Sequence, residues 1–215
     1  YEYPEEFFKE RVHNIRRPRP DDFQLKEAAE KIKNSKNPII ISGGGVFYSD
    51  AMNELGAFAA KHNIPVTQTV MGYSTMKKDH SHFLGPIGGL GGKAANNFAK
   101  KTDLAIAVGT RLGDFTTGSW ANFENPNFSL VSINVARFDA SKHMAQSVIG
   151  DAKVSLTELS QVLGDWKASE EWYEKSREEL KSWNEYVDKE SGPTNQEVPS
   201  YAHAVGAIYR NSDPT

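Results

Sequence analysis

Two patterns of apolar and polar positions alternate along this chain. The first is a short, continuous run of aliphatic residues bounded by turn formers. It occurs at Pro38-Ile-Ile-Ile-Ser42, at Asp103-Leu-Ala-Ile-Ala-Val-Gly109 and at Ser129-Leu-Val-Ser-Ile-Asn-Val135. Such runs predict strands buried on both faces. Ile64–Thr69 and Ser147–Gly150 predict two further, shorter strands. The second pattern places apolar residues three and four apart. Leu25, Ala28, Ala29 and Ile32 mark one face of a helix that Asp21 or Asp22 can cap. Met52, Leu55, Phe58 and Ala59 mark a second helix, with Ser49 or Asp50 as its expected cap. A third helix is expected over about residues 92–101, after the glycine-rich stretch that holds Gly85, Gly88, Gly89, Gly91 and Gly92, and a fourth from the Asp151 cap to Leu163. Strands alternating with helices argue a parallel sheet covered on both faces. Right-handed crossovers make it doubly wound, so the expected fold class is α/β with a mainly parallel Rossmann-like sheet.

The flanks read differently. Residues 1–22 are polar and carry Arg16-Arg17-Pro18-Arg19-Pro20, which predicts an extended interdomain linker. The Rossmann-like domain is placed at 23–165. Residues 166–198 read as a long amphipathic helix, with a break near Ser169, followed by a Gly/Pro linker. The aromatics of that helix read as packing residues, with Trp172 and Trp183 as candidate exposed contacts. Residues 199–215 read as the start of a truncated further domain, with Tyr201, Val205 and Ile208 on one helical face. The missing initiator Met and the abrupt end are read as cuts inside a longer polypeptide.

Composition narrows the chemistry. The 215 residues carry a net charge of -3 with both signs mixed, which gives no footprint for nucleic acid or an anionic membrane. No apolar run reaches the length of a membrane span. The chain has no cysteine, which excludes disulfides, thiolate metal sites and a thiol nucleophile and fits the cytoplasm. No signal-peptide pattern opens it. No G-x-S-x-G elbow is present. His80 and His82 read as a surface turn without a third metal ligand.

Two segments could bind a ligand. Gly43-Gly44-Gly45 lies between a strand and a helix, where backbone N–H groups can meet an anion. Tyr48 stands where the dinucleotide fingerprint needs a small residue, and Thr67, Gln68 and Thr69 stand where it needs an acid. Gly109-Thr110-Arg111-Leu112-Gly113-Asp114-Phe115-Thr116-Thr117-Gly118 follows the clearest strand at its carboxyl end. Arg111 could hold a phosphate, helped by Thr116 and Thr117. Alternatively Arg111 and Asp114 pair and fix the loop, or contact another domain. Asn134 and Asp139 could meet a ribose or cap a turn.

Taken in order, Asn37-Pro-Ile-Ile-Ile with Gly43-Gly-Gly-Val46, Ala107-Val-Gly-Thr-Arg-Leu-Gly-Asp-Phe-Thr-Thr-Gly-Ser119, Val131-Ser-Ile-Asn-Val135 and Val148-Ile-Gly-Asp-Ala152 resemble the central domain of the thiamine-diphosphate-dependent enzymes of acetolactate synthase and pyruvate decarboxylase type. Pro4-Glu-Glu-Phe-Phe8, the 12–20 linker, Asp114-Phe-Thr-Thr-Gly-Ser-Trp120 and Ser200-Tyr-Ala-His-Ala-Val-Gly206 are similar to the trihydroxycyclohexane-1,2-dione hydrolases within that superfamily. The resemblance implies a parent enzyme of three α/β domains that uses thiamine diphosphate and Mg²⁺. Both would be bound by N- and C-terminal domains absent here, since this chain has no Gly-Asp-Gly motif. It implies hydrolytic C–C cleavage of the cyclic dione to a 5-deoxy-glucuronate in myo-inositol catabolism. It also implies a homo-oligomer, and a middle domain that is inactive alone and holds no cofactor. The alternative is a nucleotide-binding module, as FAD or ADP is held in some relatives such as acetolactate synthase. For either reading the candidate binding residues are Gly43, Gly44, Gly45, Arg111, Asp114, Thr116 and Thr117.

Overall fold

The computed structural model describes residues 2–212. Tyr1 of the expected linker and the last three positions of the expected 199–215 segment lie outside these. In chain order the elements are α1 (Asp22–Lys33), β1 (Pro38–Ser42), α2 (Gly44–Tyr48), α3 (Met52–His62), β2 (Val66–Gln68), β3 (Phe83–Pro86), α4 (Lys93–Ala99), β4 (Leu104–Val108), α5 (Asp114–Thr117), β5 (Ser129–Asn134), α6 (Arg137–Ala140), β6 (Gln146–Ile149), α7 (Ala152–Leu163), α8 (Glu170–Glu190) and α9 (Tyr201–Asn211).

The six strands form one sheet in the order β3-β2-β1-β4-β5-β6, with every neighbouring pair parallel. The expected α/β fold is therefore present. The alternation of side chains along each strand splits the core in two. Ile40, Val66, Ile106 and Val131 point to one face, where they meet Leu25 of α1, Leu55 of α3 and Leu159 of α7. Ile39, Ile41, Ala105 and Leu130 point to the other, where they meet Phe98 of α4 and Trp172 and Leu180 of α8. The small residues Ala105 and Ala107 on β4 let those aromatics approach the sheet.

Several local expectations change. Asp21 is the cap of α1, and its carboxylate accepts from the N–H groups of Phe23 and Gln24. Asp151 caps α7 in the same way. Neither Ser49 nor Asp50 caps α3: the chain first forms α2, and Ala51 occupies the cap position without a side-chain bond. β3 falls inside the stretch read as a glycine-rich loop. It is a four-residue edge strand, and Gly85 (φ 108°) and Pro86 hide it from a propensity reading. The expected break near Ser169 is the connection between α7 and α8, where Ser169 caps α8.

Trp172 is not an exposed contact. It is 4% exposed, its ring stacks on Phe98 with centroids 3.9 Å apart, and its Nε1 donates to the Pro38 carbonyl at 2.9 Å. Trp183 packs partly buried against the same core. The 21-residue helix α8 is thus one of the two helices that close this face of the sheet. Its connection is pinned too: the Ala168 N–H donates to the His62 carbonyl, and His62 Nδ1 meets the Trp166 carbonyl at 2.7 Å. The end of the N-terminal segment is also attached. Arg17 Nη1 lies 3.0 Å from the Asp151 carboxylate and also donates to the Ser49 carbonyl, and Pro20 is buried.

Candidate functional site

In an open parallel sheet the strand order reverses at one point, and the loops there diverge to leave a crevice at the carboxyl ends. Here that point lies between β1, whose next neighbour is β2, and β4, which leads on to β5. A cleft of about 530 Å³ occupies it. Its walls are the turn after β1 (Gly44, Gly45, Tyr48), the turn after β2 (Thr69, Val70, Met71) and the long connection after β4, with Lys142 at its margin.

The sequence-derived candidates divide. Gly44, Gly45, Arg111 and Thr116 line the cleft; Gly43, Asp114 and Thr117 do not. Gly43 is used for packing: its N–H donates to the Val108 carbonyl at 2.8 Å, and a Cβ there would lie 2.5 Å from the Gly109 carbonyl oxygen. Gly45 is crowded in the same way, a Cβ meeting Gly109 Cα at 2.5 Å. The glycine run therefore lets two backbone turns touch. Thr117 is buried, and its hydroxyl takes part in hydrogen bonds with the Gly113 carbonyl and the Trp120 N–H within its own loop. Asp114 is exposed at the start of α5. Arg111 and Asp114 form no ion pair with each other; among the described residues neither has a salt-bridge partner. Tyr48, which stands where the dinucleotide fingerprint needs a small residue, ends α2, and its ring stands exposed beside Phe47. Asn134 neither faces the cleft nor stays free: it donates to the Thr110 carbonyl and accepts from the Ala136 N–H. Asp139 pairs with Lys142 at 2.6 Å.

Thr69 and Met71 were not selected from the sequence, though their place just past a strand's carboxyl end marks that position. Lys142 carries no such signal, because only the fold brings it near.

The chemistry of this lining is simple. It offers the Arg111 guanidinium, the Lys142 ammonium already paired with Asp139, threonine hydroxyls and turn N–H groups. It has no carboxylate, imidazole or thiol that could move a proton. Helices α2 and α5 span five and four residues, too short to develop a strong macrodipole. Around the cleft the edge of the sheet is apolar. Phe47 and Tyr48 after β1, Val70 and Met71 after β2, Leu90 after β3, Phe115 after β4, and Val135 and Phe138 after β5 are each more than half exposed.

His62 and His82 lie elsewhere and are structural. His82 is buried, not on a surface turn: Nε2 meets Asn63 Oδ1 at 3.2 Å, and its ring lies 4.6 Å from that of Tyr173. Burial, with the nearby His80 and Arg177 charges, lowers its pKa to about 4. Burial likewise lowers that of His62.

A divalent cation that holds a diphosphate needs several oxygen ligands. Among the described residues no group of three or more His, Asp or Glu is gathered to hold a metal. The cleft's donor set of two cations and hydroxyls does not fit a Mg²⁺-diphosphate group. No helix among the described residues is long and apolar enough to cross a membrane.

Comparison with known proteins agrees with this geometry. Residues 25–159 match the family model described as "Thiamine pyrophosphate enzyme, central domain". Proteins named 3D-(3,5/4)-trihydroxycyclohexane-1,2-dione hydrolase are similar over most of the chain. That of Clostridium perfringens strain 13 is 44% identical over 189 residues, 88% of this chain and 30% of the relative. That of Clostridium botulinum strain Alaska E43 is 47% identical over 163 residues, 76% of this chain and 25% of the relative. That of Geobacillus thermodenitrificans is 36% identical over 220 residues, 96% of this chain and 34% of the relative. The chain thus spans about a third or less of the length of these relatives. With the six-stranded parallel sheet, its switch-point cleft and a family match over more than half of the chain, this protein belongs to the thiamine pyrophosphate enzyme family, as a central domain.

Proposed function

We propose that this chain is the non-catalytic central domain of a thiamine-diphosphate-dependent hydrolase that opens the ring of trihydroxycyclohexane-1,2-dione. The observation that carries the reading is the identity of up to 47% to relatives bearing that name. The product is a 5-deoxy-glucuronate, the pathway myo-inositol catabolism, and the compartment the cytoplasm. The cofactor supplies carbanion stabilisation when bound, and it sits with Mg²⁺ on the N- and C-terminal domains of a homo-oligomeric parent. The residues of this chain do something else. They hold a rigid sheet between those domains, and the cleft lining, without an acid or base, supports the absence of a catalytic step here.

A second reading, a nucleotide-binding module, is favoured by one observation: Gly44, Gly45, Arg111 and Thr116 converge at the switch point. Against it, Gly45 is required for backbone packing, and Gln68, the last residue of β2, and Thr69 after it stand where a ribose-binding acid would stand. Thermal unfolding of the chain with FAD, ADP, NAD, and thiamine diphosphate plus Mg²⁺ separates the two. A nucleotide at about a hundred times its Kd would stabilise the fold by roughly 2.7 kcal/mol. The scaffold reading expects no shift with any of them. A nucleotide shift would favour the second reading, and a thiamine diphosphate shift would contradict both.

A further inference from the structure

A second cavity, of about 810 Å³, lies beside the edge strand β3, away from the switch-point cleft. None of the candidate binding residues lines it. Its walls come from three elements. Phe83 of β3 and Met76, both buried, give an apolar floor. Leu180, Trp183 and Val187 of α8 form one side. α9 closes the end, where Gly206 sits against Ser191 and Arg210 Nη1 donates to the Ser191 carbonyl at 2.6 Å.

Gln68 sets the chemistry of this space. It ends β2, lines the cavity and is 4% exposed. Its Nε2 donates to the Met76 carbonyl at 2.8 Å, which fixes the carboxamide and leaves Oε1 without a donor among the described residues. A buried acceptor that gives up water needs a donor in return. An occupant must therefore bring hydroxyl or N–H groups, and a purely apolar molecule does not fit. Asn184 and Asp188, one helical turn apart on α8, line the same space, and their side chains make no hydrogen bond among the described residues. Trp183 adds a partly buried ring, a flat apolar platform for the C–H face of a saturated ring.

Charge narrows the class further. Lys77 and Lys78 stand against the single carboxylate of Asp188, which leaves an excess of one positive charge. Lys78 Nζ lies over the Tyr209 ring, 5.3 Å from its centroid, and Lys77 has no ion pair among the described residues. The lining contains no arginine, and its two glycines lie inside β3 and α9, so it lacks the glycine turn and the guanidinium that cradle a diphosphate.

We infer that this cavity is a binding site for a polyhydroxylated carboxylate, a sugar acid. Its ring lies on Trp183, its hydroxyls donate to Gln68 Oε1 and Asp188, and its carboxylate meets Lys77. The site goes beyond the hydrolase reading, which neither requires it nor supplies it.

Nitrogen-15 NMR of the 215-residue chain, titrated with glucuronate, myo-inositol and benzoate, tests it. The Trp183 indole resonance, assigned by its loss in Trp183→Phe, should shift saturably with glucuronate in the millimolar range. myo-Inositol, which has hydroxyls without the charge, and benzoate, which has ring and charge without hydroxyls, should each bind at least about tenfold more weakly. Lys77→Met, at an exposed position, should remove the preference for glucuronate over inositol. Gln68→Leu should weaken glucuronate binding at least about tenfold, with its spectrum reporting whether the fold is kept. Asp188→Ala, exposed on α8, tests the hydroxyl contacts without touching the core. No saturable shift with glucuronate up to its solubility overturns the inference. So does equal affinity for benzoate or for inositol, because the hydroxyls or the carboxylate would then go unread. Binding that is unchanged in both Lys77→Met and Asp188→Ala overturns it too, since the sugar acid would sit elsewhere. None of these readouts depends on turnover of the dione, so the site and the hydrolase reading fail separately.

Discussion

Trp172→Ala should cost a large part of the stability that a domain of this size has. The indole is 4% exposed, sits against Phe98 with ring centroids 3.9 Å apart, and donates through Nε1 to the Pro38 carbonyl at 2.9 Å. Truncating a buried Trp or Phe to Ala typically costs about 3–5 kcal/mol in lost transfer energy and cavity. The carbonyl of Pro38, at the start of β1, would also lose its side-chain donor, a penalty of about 1–3 kcal/mol if water does not replace it. A total of about 4 kcal/mol or more is expected, against a typical domain stability of about 5–15 kcal/mol. Trp172→Phe keeps a ring against Phe98 and removes only the hydrogen bond and some area, so about 1–2 kcal/mol is expected. Urea unfolding followed by circular dichroism measures both. If Trp172→Ala shifts stability by less than about 1 kcal/mol, α8 does not close this face of the sheet and the placement of Trp172 in the core is wrong. If the alanine variant instead lowers the urea slope, α8 unfolds apart from the sheet, and its packing contributes to order in the helix alone.

Other consequences follow from single contacts. Gly45→Ala places a Cβ 2.5 Å from Gly109 Cα, so the turns after β1 and β4 must separate; a loss of about 2 kcal/mol or more is expected by thermal unfolding. Asp151→Ala removes the α7 cap and the partner of Arg17 together, and about 2–3 kcal/mol should be lost, while Asp151→Asn keeps the cap and should lose about half of that. The pKa of His82 is lowered in the fold to about 4, so the unfolded chain takes up its proton first as pH falls. Its neutral burial is therefore without cost above the ordinary value of 6.5, and stability falls between there and about 4, at a slope approaching about 1.4 kcal/mol per pH unit. His82→Asn should flatten that slope in urea titrations from pH 7 to pH 4; an unchanged slope would assign it to other groups.

How much of this was legible in the sequence depends on how local the signal is. β1, β4 and β5 are uninterrupted aliphatic runs, because a central strand of a parallel sheet is buried on both faces, and their bounds are within a residue or two of the reading. The cap of α1 was readable as Asp21 or Asp22, and that of α7 as Asp151, because capping is decided within three residues. β3 was not readable: at the sheet's edge it needs only one neighbour, and Gly85 and Pro86 look like loop chemistry. The role of Trp172 was hidden for the opposite reason. An aromatic stripe on a charged helix looks like a surface contact until tertiary structure lays it on a sheet face whose central strand β4 presents Ala105 and Ala107. At the cleft, the two turns that meet were identified from their place after strands. Which side chains face inward was not, because Thr117 and Thr116 differ only in the direction given by a four-residue helix. The partnership of His82 with Asn63 joins positions 19 apart, and nothing in the spacing announces it.

The most direct test of the account is turnover of trihydroxycyclohexane-1,2-dione by the full-length parent enzyme and by the 215-residue chain at equal molarity, each with and without thiamine diphosphate and Mg²⁺. The account predicts that the full-length enzyme consumes the dione only when the cofactor is present, and that the chain alone gives no product under any condition. Product formed by the chain alone, or a full-length enzyme that binds the cofactor and leaves the dione unchanged, would contradict it.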